Sequence, residues 1–176
     1  MVNARSALRS FKREVYLTEK KRVLFVCLGN IVRSPLAENM FRHIAKQKGV
    51  ADKYEVASAG TGGWHVGESP DARMRRVAAE RGLNYDGRGK QVQPADMETY
   101  DLIIAMDTEN AESLRRLARP AQREKIHLMR EFDPQGGPKD SVPDPYYGGI
   151  DGFEKVYDIV ARASAGLLDA LESGQL

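Results

Sequence analysis

Cysteine and long hydrophobic runs are both scarce in this chain of 176 residues. Cys27 is the only cysteine, which excludes an internal disulfide and every CxxC metal or redox motif. No apolar stretch approaches the roughly 20 residues that a membrane-spanning helix needs, and the N-terminus lacks the continuous apolar segment of a secretory signal. We therefore predict a cytoplasmic protein with no membrane span.

A strong excess of charge of one sign is missing as well, since the net charge is only +2. Seven lysines and arginines against two glutamates give residues 1–22 a charge of +5, which leaves −3 for the remainder. A slightly acidic body without interleaved aromatic and basic residues indicates no nucleic-acid groove. We expect residues 1–20 to form a basic extension and residues 21–176 one folded domain. The extension is interpreted as solvated; contact with nucleic acid or anionic lipid, or a role as a transit peptide, are the alternatives.

Apolar runs of strand length alternate with helix signals along the rest of the chain. Strands are predicted at residues 23–28, 54–58, 102–106 and 126–129. Helices are predicted to begin at Ser34-Pro35, Ser69-Pro70, Thr108 and Asp151, with stops at Gly49, Gly82 and Pro120. This alternation indicates a single, doubly wound α/β domain with helices on both faces of a parallel sheet.

The segment from Cys27 to Ser34, between the first strand and the first helix, has the composition of an anion-binding loop. In open α/β sheets, ligands bind at the carboxyl ends of strands, where a helix N-terminus directs free N–H groups at an anion. Gly29 and Asn30 tolerate left-handed backbone angles, so the loop can curl into a nest of N–H groups with Cys27 at its floor. Arg33 would then donate two hydrogen bonds to phosphoryl oxygens from the rim.

The same loop would activate the cysteine as a nucleophile. A thiol is a weak nucleophile until it ionises, and convergent N–H groups, the helix dipole and Arg33 all favour the thiolate. Ser34 could donate its hydroxyl to that thiolate, cap the helix, or do both. The alternative for Cys27 is a small buried apolar residue, which is the usual environment of a lone cysteine.

The stretch V-C-L-G-N-I-V-R-S-P at residues 26–35 resembles the signature loop of the low-molecular-weight protein tyrosine phosphatases, and the resemblance extends from Lys21 to the C-terminus. It implies a flavodoxin-like fold with a four-stranded parallel sheet. It also implies hydrolysis of phosphotyrosine in a protein substrate, through a phosphocysteine on Cys27, with Arg33 as the phosphate clamp and no cofactor. The substrate-binding residues that it implies in this loop are Leu28, Gly29, Asn30, Ile31, Val32 and Ser34.

A departing phenolate needs a proton, so a carboxylic acid must reach the side of the phosphorus opposite the thiolate. Asp133, Asp140 and Asp144 are the candidates in a loop rich in proline and glycine, and without further information turn formation is the favoured role for each of them. Asp144-Pro145-Tyr146 resembles the family's D-P-Y motif. The resemblance implies that Asp144 is the general acid and later the general base.

The family resemblance also implies aromatic residues at the entrance of the site and residues that hold the cysteine loop in shape. Tyr146 and Tyr147 would form one wall of the entrance and Trp64 the other, although a lone tryptophan more often packs in a core. Asn30 and Ser58 would brace the cysteine loop in its strained shape.

Asp107 resembles a family aspartate that orients the site, with a structural role beside a helix cap as the alternative. The three histidines are scattered without the spacing of metal ligands, so a structural or solvent-facing position is predicted and no metal is expected. These histidines are His43, His65 and His127.

Two departures from the family pattern bear on function. Val32 stands where most relatives have a second cysteine, so a protective disulfide with an oxidised nucleophile is missing, and we expect peroxide to convert Cys27 to the irreversible sulfinic acid more readily. The segment of residues 86–91 lacks the histidine often found there.

Other activities on the same scaffold remain as alternatives. An arsenate reductase of this type needs further cysteines for its electron relay, which this chain lacks. A phosphoarginine phosphatase typically has threonine at Ile31 and phenylalanine at Tyr146, so both residues favour phosphotyrosine. A non-catalytic phosphopeptide-binding module is the alternative from another class. A monomer or weak dimer is expected.

Overall fold

The computed structural model describes residues 19–176. Most of the predicted basic extension, residues 1–18, lies outside the described residues. The described part contains four strands, β1 (Lys21–Cys27), β2 (Tyr54–Gly60), β3 (Leu102–Ala105) and β4 (Ile126–Leu128). Its helices are α1 (Arg33–Gln47), α2 (Ala72–Glu80), α3 (Asp96–Thr99), α4 (Thr108–Leu117) and α5 (Ile150–Glu172). Short 3-10 turns occupy Ala51–Lys53, Pro120–Lys125 and Met129–Phe132.

The four strands form one parallel sheet in the order β2-β1-β3-β4. This is the order of flavodoxin-like folds, in which β1 and β3 are neighbours and a crevice opens at their carboxyl ends. Helices α1, α2 and α5 pack on one face of the sheet, and α3 and α4 pack on the other. The predicted doubly wound α/β domain with a four-stranded parallel sheet is therefore confirmed.

The sequence of β1 explains both layers of the core. Its residues alternate between the faces because successive side chains of a strand point in opposite directions. Val23 and Phe25 enter the cluster with α1 and α5, whereas Leu24 and Val26 enter the cluster with α4. Cys27 continues the first series and ends β1 on the face covered by α1.

Strand ends differ from the prediction by one or two residues. The first strand stops at Cys27, and Leu28, predicted as its last residue, is 44% exposed in the loop. β2 runs on to Gly60 because its last residues stay paired with the end of β1, with Cys27 opposite Gly60. The short helix α3 was not predicted.

The helix N-termini also differ from the prediction, and in two of them a neighbouring aspartate provides the cap. Asp71, not Ser69, caps α2 and accepts from Arg73 N. Asp107, not Thr108, caps α4 and accepts from Asn110 N at 2.7 Å. α5 begins at Ile150 after Gly149, so Asp151 lies inside its first turn.

The described helices include none that is both long and apolar enough to cross a membrane. The longest, α5, has 23 residues and places charged side chains along its exposed face.

Candidate active site

The carboxyl end of β1 opens into a cavity of about 460 Å³. Cys27, Arg33 and Asp144, the three residues predicted to carry the chemistry, all line this cavity although they come from a strand, a helix and a distant loop. The remaining lining residues are Leu28, Gly29, Ile31, Val32, Trp64, His65, Tyr146 and Tyr147.

Two groups lie within hydrogen-bond distance of the Cys27 sulfur, one in the loop that follows it and one in the first turn of α1. The backbone N–H of Asn30 donates to Sγ at 3.3 Å, and the hydroxyl of Ser34 lies 3.0 Å from Sγ. α1 starts at Arg33, so its N-terminal dipole end lies beside the same sulfur. The N–H donation and the helix dipole both stabilise negative charge on the sulfur, and the Ser34 hydroxyl, which also lies 3.3 Å from the Ala59 carbonyl, adds to them when it donates to Sγ.

Ser34 does not cap α1, contrary to one of the two roles considered for it. The helix begins one residue earlier, Val32 holds the cap position without a side-chain hydrogen bond, and Ser34 lies in the first turn. The Ser34 side chain is buried, and its oxygen lies near Cys27 and accepts from Asn30 Nδ2 at 2.9 Å. Its hydroxyl therefore serves the cysteine loop.

Asn30 holds the loop in its curled shape. Its φ is 56°, the left-handed conformation that the sequence predicted for this segment. Its amide donates to Ser34 and, at 3.0 Å, to Ser58 Oγ, while its side-chain oxygen accepts from Lys90 N at 2.8 Å. The structure thus brings the predicted pair Asn30 and Ser58 together. Both side chains lie behind the loop and not on the cavity wall, as does that of Ser34.

Sequence reasoning missed Glu38, which extends this network. Ser58 Oγ donates to Glu38 Oε2 at 2.5 Å, and Glu38 Oε1 pairs with Arg42 at 2.7 Å. The four-residue spacing of Ser34, Glu38 and Arg42 places all three on one helix face, and this spacing is the signal that could have identified Glu38.

Arg33 is buried, with 2% of the residue exposed, and so it does not lie on the rim as predicted. Its Nη1 donates to Asp107 Oδ2 at 2.6 Å and to the carbonyl of Val142 at 3.0 Å. Its Nη2 contacts Asp144 Oδ2 at 3.3 Å. Two fixed acceptors on Nη1 orient the guanidinium plane, and Nη2 points toward the cavity side where Asp144 lies.

Asp107 combines the two roles considered for it. One carboxylate oxygen caps α4 and the other accepts from Arg33. Asp107, between β3 and α4, therefore fixes the side chain of Arg33 at the start of α1. The carbonyl of Val142 was not predicted, because no sequence pattern marks a backbone acceptor so far along the chain.

Only one of the three candidate acids reaches the cavity. Asp144 is 41% exposed at its side chain and faces Arg33. Asp133 is buried elsewhere between Arg162 and Arg130, and Asp140 accepts from Gly137 N at 2.8 Å.

Aromatic side chains surround the mouth as the resemblance implied. Trp64 is 71% exposed and Tyr147 is 97% exposed, and the Tyr146 ring lies 5.0 Å from that of Tyr147. His65, predicted to be structural or solvent-facing, also lines the cavity, with its Nδ1 2.7 Å from Glu68 Oε2. Because His65 directly follows Trp64, its place on the cavity lining could have been predicted from the sequence.

Within residues 19–176, no group of three or more His, Cys, Asp or Glu side chains has the arrangement of a metal site. The expectation that the reaction needs no metal stays a prediction.

Comparison with known proteins gives a consistent result. A family model described as low molecular weight phosphotyrosine protein phosphatase matches residues 22–175. The low molecular weight protein-tyrosine-phosphatase of Streptomyces coelicolor is 47% identical over 154 residues, covering 85% of this chain and 93% of that protein. The YfkJ phosphatase of Bacillus subtilis is 41% identical over 152 residues, covering 85% of this chain and 95% of that protein.

Solved structures agree with the sequence comparison. The crystal structure of a protein tyrosine phosphatase from Entamoeba histolytica superimposes with a TM-score of 0.86 at 39% identity, over 89% of this chain and 100% of that chain. The structure of YfkJ gives a TM-score of 0.83 at 37% identity, over 91% of this chain and 99% of that chain. With its motif residues gathered in one cavity, this chain belongs to the low molecular weight phosphotyrosine protein phosphatase family and is a cysteine-dependent phosphatase.

Proposed function

We propose that this phosphatase hydrolyses phosphotyrosine in protein substrates through a phosphocysteine intermediate. The observation that carries the proposal is the meeting of Cys27, Arg33 and Asp144 around one cavity with aromatic walls. A thiolate, a fixed guanidinium and a half-exposed carboxyl group are the three groups that the two displacement steps need.

In the first step, the Cys27 thiolate attacks phosphorus, the S–P bond forms and the bond between phosphorus and the phenolic oxygen breaks. Asp144 gives its proton to the departing phenolate, and the tyrosine leaves. In the second step, Asp144 removes a proton from water as the water attacks phosphorus. Inorganic phosphate forms, and the sulfur leaves as thiolate again.

Arg33 would bind the phosphoryl group throughout. Nη1 is occupied by Asp107 and the Val142 carbonyl, which hold the guanidinium in place before substrate arrives. The longer contact from Nη2 to Asp144 is the one that a phosphoryl oxygen would replace. This exchange would release the Asp144 carboxyl group to face the leaving oxygen. Preorganised charge of this kind stabilises the transition state without reorganisation.

The aromatic mouth supports an aryl phosphate as the substrate. Trp64 and Tyr147 present large exposed surfaces on the cavity lining, as expected for walls that receive a flat ring. A related phosphatase from Vibrio vulnificus, Wzb, has been crystallised with benzylphosphonate, an aromatic phosphonate.

The catalytic domain is proposed to span residues 21–176, which the start of β1 at Lys21 supports. Action in the cytoplasm, as a monomer or weak dimer, stays a prediction.

The test compares a phosphotyrosine peptide with phosphoarginine in the presence of EDTA. We expect turnover of phosphotyrosine alone, lost in Cys27→Ser and lowered about 10²-fold or more in Asp144→Asn, the range for loss of a general acid. Asp140→Asn, the same change in the same loop outside the cavity, is the control and should leave kcat/KM nearly unchanged. Preferential turnover of phosphoarginine would favour that alternative, and tight phosphopeptide binding without turnover would favour the binding module.

A further inference from the structure

Arg73, in the first turn of α2, lies between the cysteine loop and the loop that carries Asp144. On the first side, the backbone N–H of Asp71 donates to the carbonyl of Ile31 at 2.8 Å. The Asp71 carboxylate then accepts from the Arg73 backbone and from its guanidinium, both at 2.8 Å. The start of α2 is therefore fixed to the cysteine loop, and Asp71 fixes the direction of the Arg73 side chain.

On the other side, the guanidinium of Arg73 contacts the acid loop. Its Nη1 donates to the carbonyl of Tyr146 at 3.1 Å. Its Cζ lies 5.3 Å from the centre of the Tyr146 ring and 4.6 Å from that of Phe153, which is fully buried in α5. A flat cation between two rings favours one orientation, because cation–π attraction depends on its position over the ring face.

The loop that carries Asp144 is also held by packing, since Pro145 is buried and Tyr146 packs against the core and lies 6.3 Å from the His65 ring, but it has few hydrogen bonds to other elements. Val142 is held at its start by Met106 and Arg33, and α5 begins at its end. Within the described part of the chain, Arg73 supplies the only side-chain hydrogen bond from another element to residues 145–149. Among residues 19–176, Asp144 forms side-chain hydrogen bonds only with Arg33 and with the N–H of Tyr146 in its own turn.

Both partners of the Asp71–Arg73 pair stay charged over a wide pH range. Partial burial acts to raise the pKa of Asp71, but hydrogen bonds and charge from Arg73 outweigh it and hold that pKa below its usual value. The hydrogen bond to Asp71 raises the pKa of Arg73.

We propose that Arg73 is a positioning residue that holds the Asp144 loop over the cysteine loop, so that the general acid faces the leaving oxygen. The inference rests on the proposed function, in which Asp144 donates that proton. Without Arg73, the Tyr146 carbonyl and ring lose their attachment to α2, and Asp144 occupies its working position for a smaller fraction of the time. The loss should therefore grow with the basicity of the leaving group, because a poor leaving group depends most on protonation.

The first experiment measures kcat/KM for phenyl phosphate and for 4-nitrophenyl phosphate, whose leaving group needs less protonation. For Arg73→Gln we expect a fall of about tenfold with phenyl phosphate and less than about threefold with 4-nitrophenyl phosphate. Arg73→Lys keeps the charge but lacks the planar guanidinium. We expect it to lower kcat/KM less than Arg73→Gln does, with the same dependence on the leaving group. If Arg73→Gln does not fold, Arg73→Lys is compared with the parent instead.

Arg81→Gln is the matched control. Arg81 lies at the other end of α2, pairs with Asp158 at 2.7 Å and stacks 4.6 Å from the Tyr157 ring, so it has the same kinds of contact away from the cavity. It should change both kcat/KM values equally and by less than about twofold. An equal fall for both substrates in Arg73→Gln, or the same pattern in Arg81→Gln, would overturn the positioning role.

A double variant separates this inference from the proposed function. In an Asp144→Asn background there is no acid to position, so adding Arg73→Gln should cause almost no further loss of kcat/KM. A full additional tenfold loss would show that Arg73 acts independently of Asp144. If Asp144→Asn alone had no leaving-group dependence, the assignment of the general acid would fail first, and the inference would fail with it.

Discussion

Asn30 carries both the unusual backbone angle of the cysteine loop and most of its side-chain bracing. A left-handed φ costs a residue with a Cβ about 1–2 kcal/mol, although asparagine tolerates it better than most. Here the cost is offset by hydrogen bonds to Ser34, Ser58 and Lys90. The brace therefore fixes the shape of the loop that stabilises charge on Cys27.

Asn30→Asp tests the brace with almost no change in size. The carboxylate can still accept from Lys90 N but cannot donate to Ser34 or Ser58, and it adds a negative charge near the sulfur. We expect the free energy of unfolding to fall by about 1–3 kcal/mol and kcat/KM to fall about tenfold or more, measured by urea unfolding and by turnover.

The same change at Asn39 is the control for that experiment. Asn39 lies on α1 and donates to the carbonyl of Pro35 at 2.8 Å, outside the cysteine loop. Asn39→Asp should leave kcat/KM within about twofold of the parent. Comparable loss of activity in the two variants would contradict the role of the Asn30 brace.

Val32 is 4% exposed on the cavity lining, and we expect its lack of a thiol to affect how the nucleophile responds to oxidation. Peroxide would oxidise the Cys27 thiolate to sulfenic acid, and with no second cysteine in the chain a further peroxide would oxidise it to sulfinic acid. We expect activity lost in prolonged peroxide to stay lost after dithiothreitol. Val32→Cys should recover most of its activity, because the sulfenic acid can condense with the new thiol. Full recovery of the parent would contradict this prediction.

At the scale of elements, the strands were easier to predict than the helix starts. Continuous apolar runs located β1 and β3 within two residues, since burial on both faces leaves a strong pattern. Helix starts depended on which of several polar residues had the right geometry. Asp71 and Asp107 replaced the predicted Ser69 and Thr108 as caps, and nothing in the local sequence distinguishes these neighbours.

Gly166 shows how closely one element approaches another. An added Cβ there would lie 2.0 Å from the carbonyl oxygen of Phe132, at the end of the 3-10 turn that packs against α5. Alanine favours a helix over glycine by about 1 kcal/mol, yet we expect Gly166→Ala to lower the free energy of unfolding by about 1–3 kcal/mol through overpacking. Gly152→Ala, in the same helix with its nearest contact at 3.4 Å, should not destabilise the protein. Urea unfolding of both variants checks the contrast, and equal stability of the two would contradict it.

At the scale of the whole molecule, the site is assembled by contacts between residues far apart in sequence. The loop from Cys27 to Ser34 could be predicted because its residues are contiguous and their chemistry is evident from their order. The acceptors of Arg33 come from residues 107, 142 and 144, and their meeting depends on the sheet order and the path of the last loop. Arg73 and Glu38 each have a partner close in sequence, but the contacts that tie them to the site, with Tyr146 for Arg73 and with Ser58 for Glu38, come from other elements and could not be predicted.

Asp133 links the end of the 3-10 turn to α5 and should govern stability in acid. Its buried carboxylate accepts from Arg162 at 3.0 and 3.1 Å, and Arg130 lies 3.2 Å away. Burial acts to raise the pKa of Asp133, but hydrogen bonds from Arg162 and the Gln135 backbone, with charge from Arg162 and Arg130, outweigh it and hold the pKa below its usual value.

A folded-state pKa below the unfolded value of about 3.9 means that the unfolded chain binds more protons as pH falls. The stability contributed by Asp133 is therefore complete at neutral pH and is lost below about pH 5. Asp133→Asn should lower the free energy of unfolding by about 1–3 kcal/mol at pH 7, less than for a fully buried ion pair because solvent screens the partly exposed Arg162. The difference in unfolding free energy between this variant and the parent should shrink toward pH 3. Asp158→Asn breaks an exposed ion pair with Arg81 and should cost under about 1 kcal/mol. Urea unfolding at a series of pH values measures both, and a difference for Asp133→Asn that stayed constant down to pH 3 would show that the lost interaction does not depend on its charge.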